Sequence, residues 1–309
     1  MLPTGKPGKC FIEEITCLFN SWSTESALKN VGFHALMVMP SLLLQKPSKT
    51  SKAKEHYTAL ERRMEFWKRG DLTELIKEGE TIQKGLKSLN NKRSIAKISK
   101  LFAEHMQKGN VNSAIKLLTN NMENGILPLN DQTLKLLKEK HPNAAEASKD
   151  VLLPDMPEKL HEIRYEEITA ESIRRAALRT KGGAGPSNMD ADGWKRMLTS
   201  NSFGSCSTDL CKAIAEVVRK LSSSKDTTHS LEAFLACRLI PLDKNPGLRP
   251  IGVGEVFRRI VGKALVNAIR EDVVNSVGSF QVCAGQEAEC EAAVHAIHDM
   301  FMEEETEYS

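Results

Sequence analysis

Apolar residues recur at helical spacing along most of this 309-residue chain, and no other feature of the sequence constrains the fold as strongly. The stretch FIEEITCLFNSW shows the pattern, in which side chains three, four and seven positions apart share one helix face. Its apolar face comprises Phe11, Ile15, Leu18, Phe19 and Trp22. Similar periods in the segments 94–108 and 111–119 predict that residues 1–150 form a helical N-terminal region.

One stretch, CRLIPLDKNPGLRPIGV, departs from the helical pattern. Two short apolar runs flank a turn in which Pro246-Gly247 is typical of the centre of a type II turn. Each run also contains a proline, Pro241 or Pro250, which strands tolerate at the edge of a sheet. The sequence therefore predicts a mainly α fold with one small β hairpin, closed around residues 245–248.

Two cations, Lys244 and Arg249, flank the predicted turn, and in such a hairpin they would face one another across the strands. Like charges in that arrangement repel unless an anion lies between them. A triphosphate would suit, because lysine supplies a point charge and the planar guanidinium of arginine binds two phosphate oxygens. Spacing alone leaves a second interpretation open, in which the cations are solvated and keep an exposed sheet edge soluble.

A helix is predicted next, over residues 255–274. Its apolar stripe includes Phe257, Ile260, Val261 and Leu265, which we expect to pack against neighbouring helices. Three cations lie largely off that stripe: Arg258, Arg259 and Lys263. This basic face either follows the backbone phosphates of a nucleic acid or is simply solvated.

A linker is predicted where the helical periodicity stops. Residues 143–160 contain two prolines and no sustained period, so we divide the chain into a helical region at 1–150, a linker with a glycine-rich segment at 151–205, and a third region at 206–309. Within the middle region, Thr169 is predicted to cap a helix that Gly182-Gly183 ends.

The glycine-rich stretch KGGAGPSNMDADGWKRML is predicted to be a loop that leads into a helix around Trp194. It lacks the G-x-x-x-x-G-K-[ST] pattern, which excludes a nucleotide-binding P-loop. Its two carboxylates, Asp190 and Asp192, directly precede the helix, so helix capping explains them better than metal binding.

Elsewhere, Cys283, Cys290, His295 and His298 lack the close cysteine spacing of structural zinc sites. We therefore predict no metal site in this chain.

Net charge is only +3, but the distribution is uneven. Between Ser205 and Arg270 there are 11 Lys and Arg residues against 6 Asp and Glu residues. This local excess predicts weak, sequence-independent binding to RNA or DNA.

Seven scattered cysteines are typical of reduced thiols in an intracellular protein, cytoplasmic or nuclear. The most apolar run, residues 31–44, is interrupted by Pro40 and is shorter than the roughly 20 residues of a membrane span. We interpret it as a buried helix that ends near Pro40, and we expect no membrane partner.

The stretch RLIPLDKNPGLRPIGVGEVFRRIVGKALV resembles the fingers hairpin and the following helix of reverse transcriptases, the RNA-directed DNA polymerases of non-LTR-type mobile elements. The glycine-rich segment 181–194 resembles the segment that these polymerases carry upstream, and residues 279–301 resemble the segment that leads into the palm. A further, family-specific similarity covers MPSLLLQKPSKTSK and residues 61–84, and it implies no activity.

By this resemblance, Lys244 and Arg249 match the fingers cations that hold the triphosphate of the incoming nucleotide, while the cations of the following helix match no transferable signature. Residues 206–309 would form an incomplete fingers subdomain. The complete enzyme binds Mg²⁺ through palm carboxylates, from an apolar strand and from an aromatic-x-Asp-Asp turn. Where that strand is expected, this sequence reads EEETEYS.

The resemblance therefore implies a truncated reverse-transcriptase-like protein, which has no cofactor of its own and is inactive alone, with a complementing palm segment as a possible partner. The alternative is a helical module that binds nucleic acid without catalysis.

Overall fold

The computed structural model describes residues 2–23, 29–48, 50–87, 95–119, 125–141, 163–223, 231–244, 247–277 and 289–306. The α-helices in these ranges are α1 Lys6–Ser23, α2 Lys29–Leu43, α3 Ala53–Arg69, α4 Leu72–Lys87, α5 Ile95–Gln107, α6 Val111–Thr119, α7 Asp131–Lys140, α8 Ile163–Glu166, α9 Ala170–Arg179, α10 Ala191–Thr199, α11 Ser205–Ser223, α12 Glu232–Leu235, α13 Val256–Ala268, α14 Arg270–Val277 and α15 Glu289–Thr306. Two strands, β1 Cys237–Asp243 and β2 Leu248–Gly254, form an antiparallel hairpin. The prediction of a mainly α fold with a small hairpin is confirmed.

A cluster of aromatic rings joins helices from both ends of the chain. Phe257 of α13 lies 5.0 Å from Phe19, 5.3 Å from Trp194 and 5.5 Å from Phe234, measured between ring centroids. These three partners belong to α1, α10 and α12. Offset and edge-on ring pairs at such distances add to the free energy of burial. Helices before and after the predicted linker therefore share one core, and the linker itself, 143–160, lies outside the described residues.

The first two helices differ in how well their sequence predicts them. The predicted face of α1 is confirmed: four of its apolar residues are buried, namely Phe11, Ile15, Phe19 and Trp22. The predicted end of α2 near Pro40 is wrong, because the helix continues to Leu43. Proline removes a single N–H here, the Pro40 carbonyl still accepts from Leu44 N at 3.0 Å, and the buried Met39 and Leu43 hold the last turn in place.

A buried arginine connects α2, α3 and α4. The side chain of Arg63 is 2% exposed, and its Nη1 donates to the carbonyls of Leu43 at 3.1 Å and Gln45 at 2.6 Å. Its Nε and Nη2 both donate to Glu78 Oε1, at 2.9 and 2.7 Å. The two carbonyls belong to the C-terminal end of α2, so this cation binds the negative end of one helix and a carboxylate of another.

Among the described residues, no helix is long and apolar enough to cross a membrane. The five cysteines whose side chains are described form no disulfide. Burial raises the pKa of the Cys211 thiol to about 11, so this cysteine is an inert part of the core.

The hairpin pairs Asp243 with Leu248 and Pro241 with Pro250. Lys244 N donates to Gly247 O at 2.9 Å, which makes these two residues a hydrogen-bonded pair. Because such pairs alternate along an antiparallel ladder, the two prolines fall at a pair that exchanges no hydrogen bonds. Their missing N–H groups therefore cost the hairpin nothing, as the prediction of edge strands requires.

A segment of the N-terminal region covers the outer edge of β1. Leu127 N donates to Pro241 O, and Asp243 N donates to Gly125 O, both at 2.9 Å. The helix α7 follows this segment and contacts β2. The hairpin is thus held against the helical region rather than projecting alone.

The helix predicted over 255–274 is two helices. Ile269, at φ −100° and ψ 7°, separates α13 from α14, whose first turn begins with the acidic Glu271 and Asp272. Carboxylates favour a new helix start, which the apolar period did not reveal. The buried stripe is confirmed for Phe257, Ile260 and Val261, while Leu265 is half-buried.

Candidate functional site

Lys244 and Arg249 do not face one another. The register places Arg249 opposite Leu242 and leaves Lys244 opposite Gly247. The predicted pairing was wrong because the register is displaced: Asp243 pairs with Leu248, and Lys244 N donates to Gly247 O, where Gly247 has φ +101°. Glycine adopts this backbone conformation without strain.

The two cations nevertheless share one face of the hairpin. Leu242 and Lys244 alternate onto the same side of β1, and Arg249 is on that side because it is opposite Leu242. Diagonal neighbours in such a ladder lie roughly 7–8 Å apart at their β-carbons. Both side chains are exposed, and neither makes a hydrogen bond or ion pair with a described residue. Both long side chains can therefore reach one anion placed between them.

The glycine-rich segment is fastened to the start of α13 by a buried carboxylate. Glu255, the residue before α13, is 0% exposed. It accepts from Ser187 N at 2.5 Å and from Ser187 Oγ at 2.7 Å. The Ser187 carbonyl in turn accepts from Ser41 Oγ of α2 at 2.8 Å. Because a buried carboxylate is costly without donors, this pairing fixes where the segment lies.

Glycine is required where this segment touches α13. A β-carbon added to Gly185 would lie 2.8 Å from Glu255 N and 2.9 Å from its Cα. One added to Gly182, which has φ +109°, would lie 2.6 Å from Arg259 Nη1. A β-carbon on Gly183 would meet no atom within 4 Å. Two of the three glycines thus permit close approach, which is a structural role rather than phosphate binding.

The cations of α13 bind backbone carbonyls. Arg259 donates from Nη1 to Lys181 O at 2.7 Å and from Nη2 to Gly183 O at 2.6 Å. Lys263 Nζ donates to Arg179 O at 2.7 Å, at the C-terminal end of α9. Sequence analysis had offered a nucleic-acid face or a solvated face, and neither included these bonds. Contact of these residues with nucleic acid stays a prediction.

Arg258 makes a similar bond on the other side of the helix. Its Nη1 donates to Leu235 O at 3.0 Å, and its Nη2 lies 3.6 Å from Cys237 Sγ. These contacts hold α12 and the beginning of β1 against α13. The three cations therefore join α13 to the segments that flank it in space.

The acidic pair of the glycine-rich segment caps a helix. Asp190 is the N-cap of α10 and accepts from Gly193 N at 2.8 Å, while Asp192 is exposed in the first turn. Thr169 likewise caps α9, accepting from Ser172 N at 3.3 Å. The capping prediction is confirmed for Thr169 and Asp190, whereas Asp192 lies inside the first turn of α10.

The described part of the chain contains no group of three or more His, Cys, Asp or Glu residues placed to hold a metal ion. Glu255 is committed to Ser187 and Asp190 to its helix, so these carboxylates do not fit the Mg²⁺ of the complete polymerase. Cys283, of the rejected zinc pattern, lies outside the described residues.

Sequence reasoning missed Glu255 and Ser187. The sequence does contain a signal for this contact. The acidic Glu255 directly precedes a helical pattern, and a segment with closely spaced glycines lies upstream. That signal indicates a helix start, but only the fold shows that the carboxylate binds a serine 68 residues away.

No family model, curated protein or solved structure matches this chain.

Proposed function

We propose that these residues form a fingers-type unit of the RNA-directed DNA polymerase family, in which Lys244 and Arg249 contact the phosphates of an incoming nucleotide. The observation that carries the proposal is the placement of these two exposed cations on one face of the hairpin. They have no acceptor among the described residues, so both remain available to an anion. The proposal needs this availability, because a guanidinium already bound to carbonyls has fewer N–H groups left for phosphate oxygens.

Support also comes from packing. The stretches that carry the resemblance, the glycine-rich segment, the hairpin and α13, contact one another through Glu255, Arg259 and Arg258. A polymerase fingers unit requires such a rigid base, because catalytic positioning fails when supporting elements shift by about 1 Å.

In the proposed polymerase, the carboxylates that hold Mg²⁺ would belong to the palm. Mg²⁺ would supply the charge that stabilises the attacking and leaving oxygens of phosphoryl transfer. The residues of this chain would have a different task, which is to hold and orient the triphosphate through Lys244 and Arg249.

The direct test is triphosphate binding. A deoxynucleoside triphosphate is titrated into the chain at low salt, and amide chemical shifts of the hairpin are followed. We expect a dissociation constant no tighter than roughly millimolar, about −4 kcal/mol, since two exposed cations are heavily screened. Lys244→Gln with Arg249→Gln should abolish the shifts, and Arg238→Gln, an exposed cation of the same hairpin, should retain them.

Identical titrations of wild type and the double variant would refute the proposal. RNA binding without any triphosphate response would instead favour the non-catalytic nucleic-acid module. Primer extension by these residues alone, on a primed RNA with magnesium, would show that the carboxylates are not supplied from elsewhere.

A further inference from the structure

A cavity of about 680 Å³ lies between the beginning of the chain, the loop that precedes α3, and α10. Its size falls within the roughly 300–1,000 Å³ of pockets that bind small molecules. The residues that define its chemistry are Leu2, Lys46, Lys54, His56, Tyr57 and Arg196. None of these belongs to the hairpin or to α13.

The charges on the cavity wall all have one sign. Lys46, Lys54 and Arg196 are basic, and no Asp or Glu lines the cavity. The closest acidic residue in sequence, Glu55, is turned to the helix start, where its Oε2 accepts from Lys52 N at 2.9 Å. Two of these cations, Lys54 and Arg196, have terminal nitrogens with no acceptor among the described residues, and an anion would relieve their mutual repulsion.

A neighbouring group responds to this positive field. The pKa of His56 is lowered by burial and next by surrounding positive charges, with Lys46 and Arg63 among them, and Glu55 opposes them only in part. The ring is held in place by the contact of its Nε2 with Ser51 Oγ at 3.0 Å. The lowered pKa favours the neutral ring, so the positive charge of the cavity wall comes from its lysine and arginine side chains.

Arg196 is fixed in a way that leaves part of its guanidinium available. Its Nε donates to Leu2 O at 2.8 Å, and its Cζ lies 6.0 Å from the centre of the Phe203 ring. The two terminal nitrogens have no acceptor among the described residues. A guanidinium whose Nε is already hydrogen-bonded loses little conformational entropy when its two terminal nitrogens bind two oxygens of a phosphate.

Beside the hydroxyl residues Thr4 and Ser51, the remaining wall includes apolar and aromatic side chains. Leu2 is 3% exposed, Pro3 and Ala53 lie beside it, and Tyr57 contributes a ring. The Tyr57 hydroxyl makes no hydrogen bond with a described residue, so it can serve a ligand. Pockets of this composition bury the apolar body of a ligand and orient it by a few polar groups.

We infer that this cavity binds an organic phosphate whose body is aromatic or apolar. Arg196 and Lys54 contact the phosphate, and Tyr57 with Leu2 covers the body. The site is independent of the proposed triphosphate contact, since it shares no residue with the hairpin. One of the two can therefore fail while the other stands.

The test is calorimetric titration of the 309-residue chain with phenyl phosphate at low salt. We expect saturable binding at one site, with inorganic phosphate binding more weakly because it has no body to bury. Arg196→Gln and Lys54→Gln should each weaken binding roughly tenfold, equivalent to about 1.4 kcal/mol. Lys195→Gln removes the same charge from the adjacent position of α10, outside the cavity lining, and should bind like wild type.

Lys54 is exposed, so its substitution leaves the fold intact and keeps the test valid if Arg196→Gln unfolds. No saturable binding, an equal loss in Lys195→Gln, or inorganic phosphate binding as tightly as phenyl phosphate would each overturn the inference. A nucleoside 5′-monophosphate and a 5′-phosphorylated oligonucleotide, added as competitors, identify whether the ligand is free or at the end of a strand. Lys244→Gln should leave phenyl phosphate binding unchanged.

Discussion

Two groups of cations lie close together in the sequence, and the structure uses them differently. Arg259 and Lys263 of α13 donate to three backbone carbonyls between residues 179 and 183. Lys244 and Arg249 of the hairpin are exposed and bind no described residue. The first pair satisfies the end of a helix and a loop, and the second pair makes no such bond with a described residue.

This difference teaches that a count of local charge does not measure a binding surface. The excess of Lys and Arg between Ser205 and Arg270 includes both groups. A cation bound to carbonyls has already replaced much of its hydration by internal hydrogen bonds, so it contributes to stability first. Only cations without such partners can fully neutralise the phosphates of a nucleic acid and so release its counterions.

The largest expected effect is on stability, at the buried face of α13. Phe257→Ala should lower the free energy of unfolding by roughly 3–5 kcal/mol, because its ring is fully buried among three other aromatic rings. Val266→Ala, on the same helix but 60% exposed, is the control and should change it by less than about 0.5 kcal/mol. Urea denaturation measures both. Equal midpoints for Phe257→Ala and wild type would show that α13 is not the centre of the core.

The contact between the glycine-rich segment and α13 offers a matched pair of glycines. Gly185→Ala should destabilise the fold by roughly 1–3 kcal/mol, because the new methyl group would overlap the backbone of Glu255. Gly183→Ala has open space and should be neutral or stabilise slightly. Thermal unfolding of the two variants makes the comparison. If both lost the same stability, the close approach would not be the reason that glycine occurs here.

A smaller effect separates the two arginines. Arg259→Gln should cost roughly 1–2 kcal/mol, because two carbonyls lose charged donors in a partly exposed setting. Arg249→Gln should stay within about 0.5 kcal/mol of wild type, since the side chain has no described partner. Chemical denaturation in parallel checks this. A larger loss for Arg249→Gln than for Arg259→Gln would reverse the roles assigned to the two groups.

Much of the fold could be predicted from the sequence, because helical periodicity and turn residues act locally. The α1 face, the Asp190 and Thr169 caps and the hairpin all follow from residues within a few positions of one another. The break at Ile269 was missed because its neighbours preserve the apolar period.

The site was less predictable, since its contacts join distant segments. Arg259 meets carbonyls 76 and 78 positions away, and nothing in its own neighbourhood distinguishes it from Arg249. The register of the hairpin was missed for a different reason: moving the turn by one residue changes which side chains are opposite. Residue types therefore identified the candidates, and only the fold separated internal contacts from exposed cations.

The most direct measurement is the salt dependence of binding to single-stranded RNA for two variants of equal net charge. One is Lys244→Gln with Arg249→Gln, and the other is Arg259→Gln with Lys263→Gln. If the hairpin contacts phosphates, affinity should fall less steeply with salt in the first variant. The magnitude of the slope of log affinity against log salt should decrease by about 0.7 for each lost contact. The second should lower it by less, because Arg259 and Lys263 already donate to backbone carbonyls. An unchanged slope for the hairpin variant, or an equal decrease for both, would contradict the division of the cations into internal and ligand-facing groups.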